Sequence, residues 1–151
     1  YVPTYERFVD ERDFESLVRN YFEQYLGQFP AQVFDKINEN FIRCSFFELV
    51  SRYLSSCYTF AIEQNNSEGR ADFEMTGIPG TDYYTDDRLV EFKYYKAKEA
   101  EKMLELDVPL PEHVEQVHRY AEDTLRHFPN YKVRTYMVYI CANRGWKCWE
   151  V

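Results

Sequence analysis

The sequence predicts an α/β protein in which helices flank a mixed β-sheet. Two helix-type patterns come first, with apolar residues recurring every three or four positions within 4–29 and 35–54. Stretches of strand character and two further helical stretches follow, which gives the order α-α-β-β-β-α-α-β-β. A chain of 151 residues with 45% hydrophobic side chains is long enough to bury the core of one such domain.

The first two helices are predicted from apolar stripes and from the residues that interrupt them. Gly27 and Pro30 end the first helix. The stripe of the second helix runs through Ile42, Phe46, Leu49, Val50 and Tyr53. A strand over 58–64 and a hairpin-type loop over 65–69 come next, and from Arg70 alternating polarity indicates a second strand.

The remaining elements are predicted from breakers and apolar runs. A turn-rich connection leads to a third strand over 88–95, which a charged helical stretch over 97–106 follows. Pro111 suits the first turn of a helix that ends near residue 127. An apolar strand over 132–141 and a short last strand over 146–150 complete the sheet.

Composition excludes several classes of protein. Aromatic residues make up 19% of the chain, which excludes disorder as a description of the whole. No run of 18 apolar residues occurs, so no membrane helix is expected. The chain starts without Met or a signal-peptide pattern, so we expect a cytoplasmic protein that is a piece of a longer chain.

The cysteines and the net charge limit the function further. Four cysteines without a CxxC pair indicate reduced, mostly buried thiols, although a zinc site with Cys141, Cys148 and a histidine stays open. The formal net charge of −8 counts against tight nonspecific nucleic-acid binding, because such binding depends on Lys and Arg.

A carboxylate and an ammonium group stand two positions apart on the third strand. Side chains of Glu91 and Lys93 therefore project from one face. Burying both groups costs free energy unless they are paired, hydrated or bound to a metal ion. An ordinary ion pair on an edge strand is the alternative for this tripeptide alone.

Asp72 adds a second carboxylate, 19 residues before Glu91. If the two strands pair, both carboxylates can hold one Mg²⁺ ion near the Lys93 ammonium, a combination suited to phosphodiester hydrolysis. The alternative is that Asp72 ends a turn near Arg70. Glu74 shares the face of Asp72 and is either solvated or a substitute ligand.

The helix over 111–127 carries a polar pair on one face. Gln116 and Tyr120 are four residues apart and lie one turn from each other. His113, His118 and His127 are predicted to be exposed or helix-terminal and not to bind a metal ion.

The segments Gly69-Arg70-Ala71-Asp72, Glu91-Phe92-Lys93 and Gln116-x-x-x-Tyr120 resemble, in order and spacing, the motifs of the PD-(D/E)XK nuclease superfamily. The similarity is greatest to its RecB-like branch and to nuclease-like domains C-terminal to AAA-ATPase-like domains in bacterial proteins of unknown role. It implies a restriction-endonuclease-like α-β-β-β-α-β core, which 34–140 match. Residues 1–33 would form an N-terminal helical extension, and 34–151 the nuclease-like domain with an extra C-terminal strand.

The resemblance also implies roles for the site residues. Asp72 and Glu91 would bind Mg²⁺ or Mn²⁺, Lys93 would be the catalytic lysine, and Gln116 and Tyr120 would support them. Glu48 is the expected acidic residue of the first core helix because its neighbours are apolar, with Glu39 as its rival.

Nucleic acid is the substrate that this resemblance implies, with DNA favoured over RNA by family analogy. The alternative function is an interaction or regulatory module on a nuclease fold. Such a module would pair with an upstream ATPase domain or another protein. The net charge of −8 and the 14 tyrosines favour that alternative.

Overall fold

The structure is a computed structural model, and it describes residues 2–63 and 71–151. Five α-helices lie within these residues: α1 (Val2–Glu11), α2 (Phe14–Asn20), α3 (Glu39–Leu54), α4 (Ala97–Leu104) and α5 (Pro111–His127). The strands of the same part of the chain are β1 (Tyr58–Ile62), β2 (Phe73–Gly77), β3 (Asp86–Tyr95), β4 (Lys132–Cys141) and β5 (Gly145–Glu150).

The five strands form one mixed sheet in the order β1-β2-β3-β4-β5. Strands β3 and β4 are parallel, whereas the other neighbours are antiparallel. Helices α4 and α5 make the crossover that a parallel pair requires. The predicted α/β class with a mixed sheet is therefore confirmed.

Helices cover both faces of the sheet, and β3 contributes apolar side chains to the core on each face. Val90 and Phe92 face a core that residues of α1, α2 and α3 complete. Leu89, on the opposite face, packs with Met103 of α4 and Val117 of α5. Such two-sided burial is typical of a strand in the middle of a sheet with helices on both faces.

The N-terminal helices differ from the prediction of one continuous helix over 4–29. Arg12 has a φ of 58°, so the chain turns between α1 and α2. A π-helical turn, Tyr21–Tyr25, and a 3₁₀ turn, Leu26–Gln28, extend α2. Residues of α1 and α2 lie in the same core as α3 and β3, while the domain boundary predicted after residue 33 stays a prediction.

Helix α3 begins at Glu39 and not at residue 35, because Asn38 caps it. The Asn38 backbone is extended, outside the helix, and its side-chain Oδ1 accepts a hydrogen bond from the Phe41 amide at 2.9 Å. The preceding residues Ala31–Asp35 form a 3₁₀ helix instead. The predicted hairpin loop over 65–69 lies outside the described residues.

The connection between β2 and β3 packs tightly against the end of β2. A Cβ atom built on Gly77 would lie 1.6 Å from the carbonyl oxygen of Tyr83. Only glycine fits at this close approach of two backbone segments.

Within the described residues, no helix combines the length and the apolar character that crossing a membrane requires.

Candidate active site

The candidate site lies beside the start of β2, where the pairing of β2 with β3 stops. The pairing of β2 with β3 reaches Phe73 and Val90, whereas β3 continues to Tyr95. Asp72 directly precedes β2, so its side chain lies beside the part of β3 that β2 leaves unpaired. At this unpaired edge of β3, the Glu91 carboxylate therefore lies next to Asp72.

Asp72 and Glu91 are in direct contact. The backbone amide of Asp72 donates a hydrogen bond to Oε1 of Glu91 at 3.0 Å. Oδ2 of Asp72 accepts a hydrogen bond from the backbone amide of Phe92 at 2.9 Å. The two predicted acidic residues therefore meet, and backbone groups fix their positions.

The Glu91 carboxyl group is buried, with 3% of the residue exposed. Burial, together with the nearby Asp72 carboxylate, raises the pKa of Glu91 to about 9, although Lys93 acts in the opposite direction. At neutral pH the folded protein without a bound cation therefore keeps a proton on Glu91. A cation could replace that proton and offset the repulsion between the two carboxylates.

The raised pKa of Glu91 predicts a pH dependence of stability. Unfolded Glu91 loses its proton near pH 4.5, whereas the folded group keeps it to about pH 9, so stability falls as the pH rises between these values. Asp87, whose pKa is raised to about 8 chiefly by burial, contributes with the same sign. We expect Glu91→Gln to remove part of the slope, at most about 1.4 kcal/mol per pH unit.

Urea denaturation at pH 6 and pH 8.5 in EDTA would measure this slope. The difference between the wild type and Glu91→Gln isolates the contribution of Glu91, because Asp87 is present in both. Equal slopes in the two proteins would contradict the buried, protonated state of Glu91.

Lys93 lies on the face of β3 that Glu91 occupies, and its ammonium group is close enough to favour ionisation of that carboxyl group. Gln116 and Tyr120 face the same region from α5. Nε2 of Gln116 donates a hydrogen bond to the Tyr120 hydroxyl at 2.7 Å. Burial raises the pKa of Tyr120, and the Glu91 and Asp72 carboxylates raise it further. The structure thus brings all five predicted catalytic residues to one region.

Arg43 of α3 is a member of the site that the sequence analysis missed. Its side chain is 7% exposed, and Nη1 donates to Oδ1 of Asp72 at 2.8 Å. Nη2 donates to Oδ1 of Asn40, also at 2.8 Å. The sequence shows only an Arg four residues after Glu39, and its burial beside Asp72 is not visible there.

The acidic residue of α3 near the site is Glu39, the rival named from the sequence, whereas Glu48 lies on the helix surface. The Glu48 side chain is 74% exposed and pairs with Arg52 on the helix surface. Glu39 lies near Lys93 and Asp72, and burial raises its pKa. Glu39 stands one turn before Arg43 and so shares its helix face.

His113 lies in the first turn of α5, which fits the helix-terminal position predicted for it, and it is half-buried there. Its Nδ1 makes a hydrogen bond with the Tyr139 hydroxyl at 2.5 Å, beneath α5. Burial lowers the pKa of His113, and the Lys93 ammonium lowers it further. His118 and His127 are exposed as predicted.

The two sides of the site differ in charge. A cavity of about 370 Å³ opens at the start of α3 and is lined by Arg43, Lys96, Asn38, Asn40 and Glu39, among others. A second cavity, of about 200 Å³, lies between the sheet and α5, and its lining includes Tyr120, Glu74 and Asp123. The α3 side therefore carries two cationic side chains, Arg43 and Lys96, whereas carboxylates line the cavity on the α5 side.

The donor set fits a small hard cation. Asp72 and Glu91 supply carboxylate oxygens, and Mg²⁺ is commonly held by one or two carboxylates with several waters. In the described part of the chain, no group of three or more His, Cys, Asp or Glu side chains is arranged to hold a metal ion. The zinc alternative at Cys141 and Cys148 therefore has no third ligand among these residues.

Comparison with known proteins agrees with this geometry. The family model described as the PD-(D/E)XK nuclease superfamily matches residues 37–150, which is more than half of the chain. A search of curated proteins finds no match. The matched region contains the acid pair, Lys93 and the polar pair of α5, and the chain belongs to the PD-(D/E)XK nuclease superfamily.

Proposed function

We propose that this domain hydrolyses phosphodiester bonds in nucleic acid with the help of a divalent cation. The observation that carries the proposal is the contact of half-buried Asp72 with buried Glu91 at the unpaired edge of β3, with Lys93 on the same face as Glu91. Membership of the superfamily supports a nuclease-like function and a divalent cation in general. The two carboxylates are the place that we propose for the cation in this chain.

Asp72 and Glu91 would hold Mg²⁺ or Mn²⁺. Such a cation, when bound, would lower the pKa of a coordinated water and offset negative charge on the phosphate. The backbone amide of Phe92 holds Asp72 in place, and the backbone amide of Asp72 does the same for Glu91. Both carboxylates are thereby oriented before a ligand arrives, which reduces the ordering needed on binding.

Lys93 would orient the attacking water or stabilise the charge that develops on the phosphate. The hydrogen-bonded pair of Gln116 and Tyr120 would support the site from α5. Glu39 takes the place of Glu48 as the α3 carboxylate that would influence the cation, because it lies near Lys93 and Asp72. It would act from outside the ligand set, since no third such side chain of the described residues joins the pair to hold an ion.

We further propose that the nucleic acid approaches along the α3 side of the site. Lys96 and the first turn of α3 line the cavity there, and a helix N-terminus favours phosphate groups. Glu74 and Asp123 on the α5 side repel phosphate groups. DNA remains favoured over RNA by family analogy alone.

Calorimetric titration with Mn²⁺ tests the proposed metal site. We expect the wild type to bind Mn²⁺ and Glu91→Gln to lose at least about tenfold in affinity, because a neutral amide replaces a charged ligand. Glu39→Gln should weaken binding less. Glu48→Gln is the matched control on the same helix and should bind as the wild type does. Absence of Mn²⁺ binding by the wild type would contradict the proposal.

A second candidate is a catalytically inactive module that binds an upstream AAA-ATPase-like domain or another protein, in a cytoplasmic setting. The specific observation in its favour is that Arg43 already forms an ion pair with Asp72. The net charge of −8 acts in the same direction. The two candidates differ in the Mn²⁺ titration, since the module requires no cation at Asp72 and Glu91.

A further inference from the structure

Arg43 is a buried cation in contact with a proposed metal ligand. Its guanidinium group is held by Asp72 and Asn40, and no cationic side chain other than Arg43 is within ion-pair distance of Asp72 in the described residues. We propose that Arg43 is a tethered counter-ion for Asp72 that lowers the affinity of the site for a divalent cation. This inference rests on the proposed function.

Burial makes the charge of Arg43 effective. Solvent and salt screen buried charges much less than exposed ones, so a guanidinium group and a divalent cation that share one carboxylate repel each other strongly. The ion pair with Arg43 also stabilises the protein when no metal ion is bound. Without Arg43 and without a metal ion, the Asp72 carboxylate would have no ion pair in the described residues, and the folded chain would be destabilised.

The opposite reading is that Arg43 positions Asp72 and so strengthens metal binding. Loss of a group that orients a metal ligand usually lowers metal affinity about 10- to 100-fold. Here the Phe92 amide still holds Oδ2 of Asp72 after Arg43 is removed, so the orientation of the carboxylate is largely kept. The removal of charge repulsion should therefore exceed the loss of orientation.

Calorimetric titration of Arg43→Gln with Mn²⁺, and its melting temperature in EDTA, test the proposal. We expect at least about tenfold tighter Mn²⁺ binding and a lower melting temperature without metal. Arg43→Lys keeps the charge and should bind Mn²⁺ within a few-fold of the wild type. Arg52→Gln removes the same charge from an exposed position of α3, and should change neither measurement.

Asn40→Ala provides a milder variant, because Asn40 is exposed and the change removes one anchor of Arg43. We expect a few-fold gain in Mn²⁺ affinity, which tests the proposal even if Arg43→Gln does not fold without metal. Unchanged or weaker binding by Arg43→Gln and Asn40→Ala, with a wild type that binds Mn²⁺, would overturn the counter-ion role and leave the metal site standing. Absence of binding by the wild type and both variants would overturn the two proposals together.

Discussion

Substitution of Lys93 by Ala is expected to lower the rate of nucleic-acid cleavage at least about 100-fold while the fold is kept. Lys93 lies beside Glu91 at the unpaired edge of β3, where its ammonium group can face a phosphate next to the cation that the acid pair would hold. It makes no ion pair within the described residues, so its removal leaves no partner behind. Cleavage of labelled DNA and RNA with Mn²⁺, together with the melting temperature, would measure both effects.

Lys98→Ala is the matched control for this prediction, since Lys98 is an exposed lysine of α4. It should cleave at the rate of the wild type. A Lys93→Ala protein that retains the full rate would show that the ammonium group has no part in the reaction. A rate that falls with the melting temperature would instead point to a structural role.

Substitution of Gly77 by Ala is expected to destabilise the domain by about 3 kcal/mol or more. The added Cβ would lie 1.6 Å from the Tyr83 carbonyl oxygen, and neither atom can rotate away, because the oxygen belongs to the backbone and Cβ is fixed directly to it. The connection before β3 would have to move. For a domain of this size the melting temperature should fall by roughly 10 °C, which thermal denaturation would measure.

Gly27→Ala serves as the control, because its Cβ would meet only the Phe22 carbonyl oxygen at an ordinary 3.7 Å. The melting temperature of this variant should stay close to that of the wild type. A Gly77→Ala protein as stable as Gly27→Ala would mean that the β2–β3 connection does not pack against Gly77 as described.

The residues on β3 were predictable because strand alternation is local. Two positions along a strand return to the same face, so Glu91 and Lys93 had to project together whatever the rest of the fold. The contact of Asp72 with Glu91 needed one further assumption, that the two strands are neighbours, and the sheet order confirms it.

The residues on α3 were harder to predict because a helix distributes neighbours around its axis. Glu48 lies between apolar residues in sequence, yet each step along a helix turns about 100°, so adjacent residues point in different directions. Glu48 consequently faces solvent while Phe46 is fully buried. Arg43 reaches Asp72 only because α3 docks beside the start of β2, which no local pattern specifies.

The parallel pairing of β3 with β4 has a consequence for the order of folding. Asp86 pairs with Lys132, so this ladder closes a long loop, whereas Asp72 and Glu91 are joined through the neighbouring strands β2 and β3. Contacts close in sequence generally form sooner than distant ones. We therefore expect the carboxylates to meet early during synthesis, and the helix bearing Gln116 and Tyr120 to close over them only after β4 has left the ribosome.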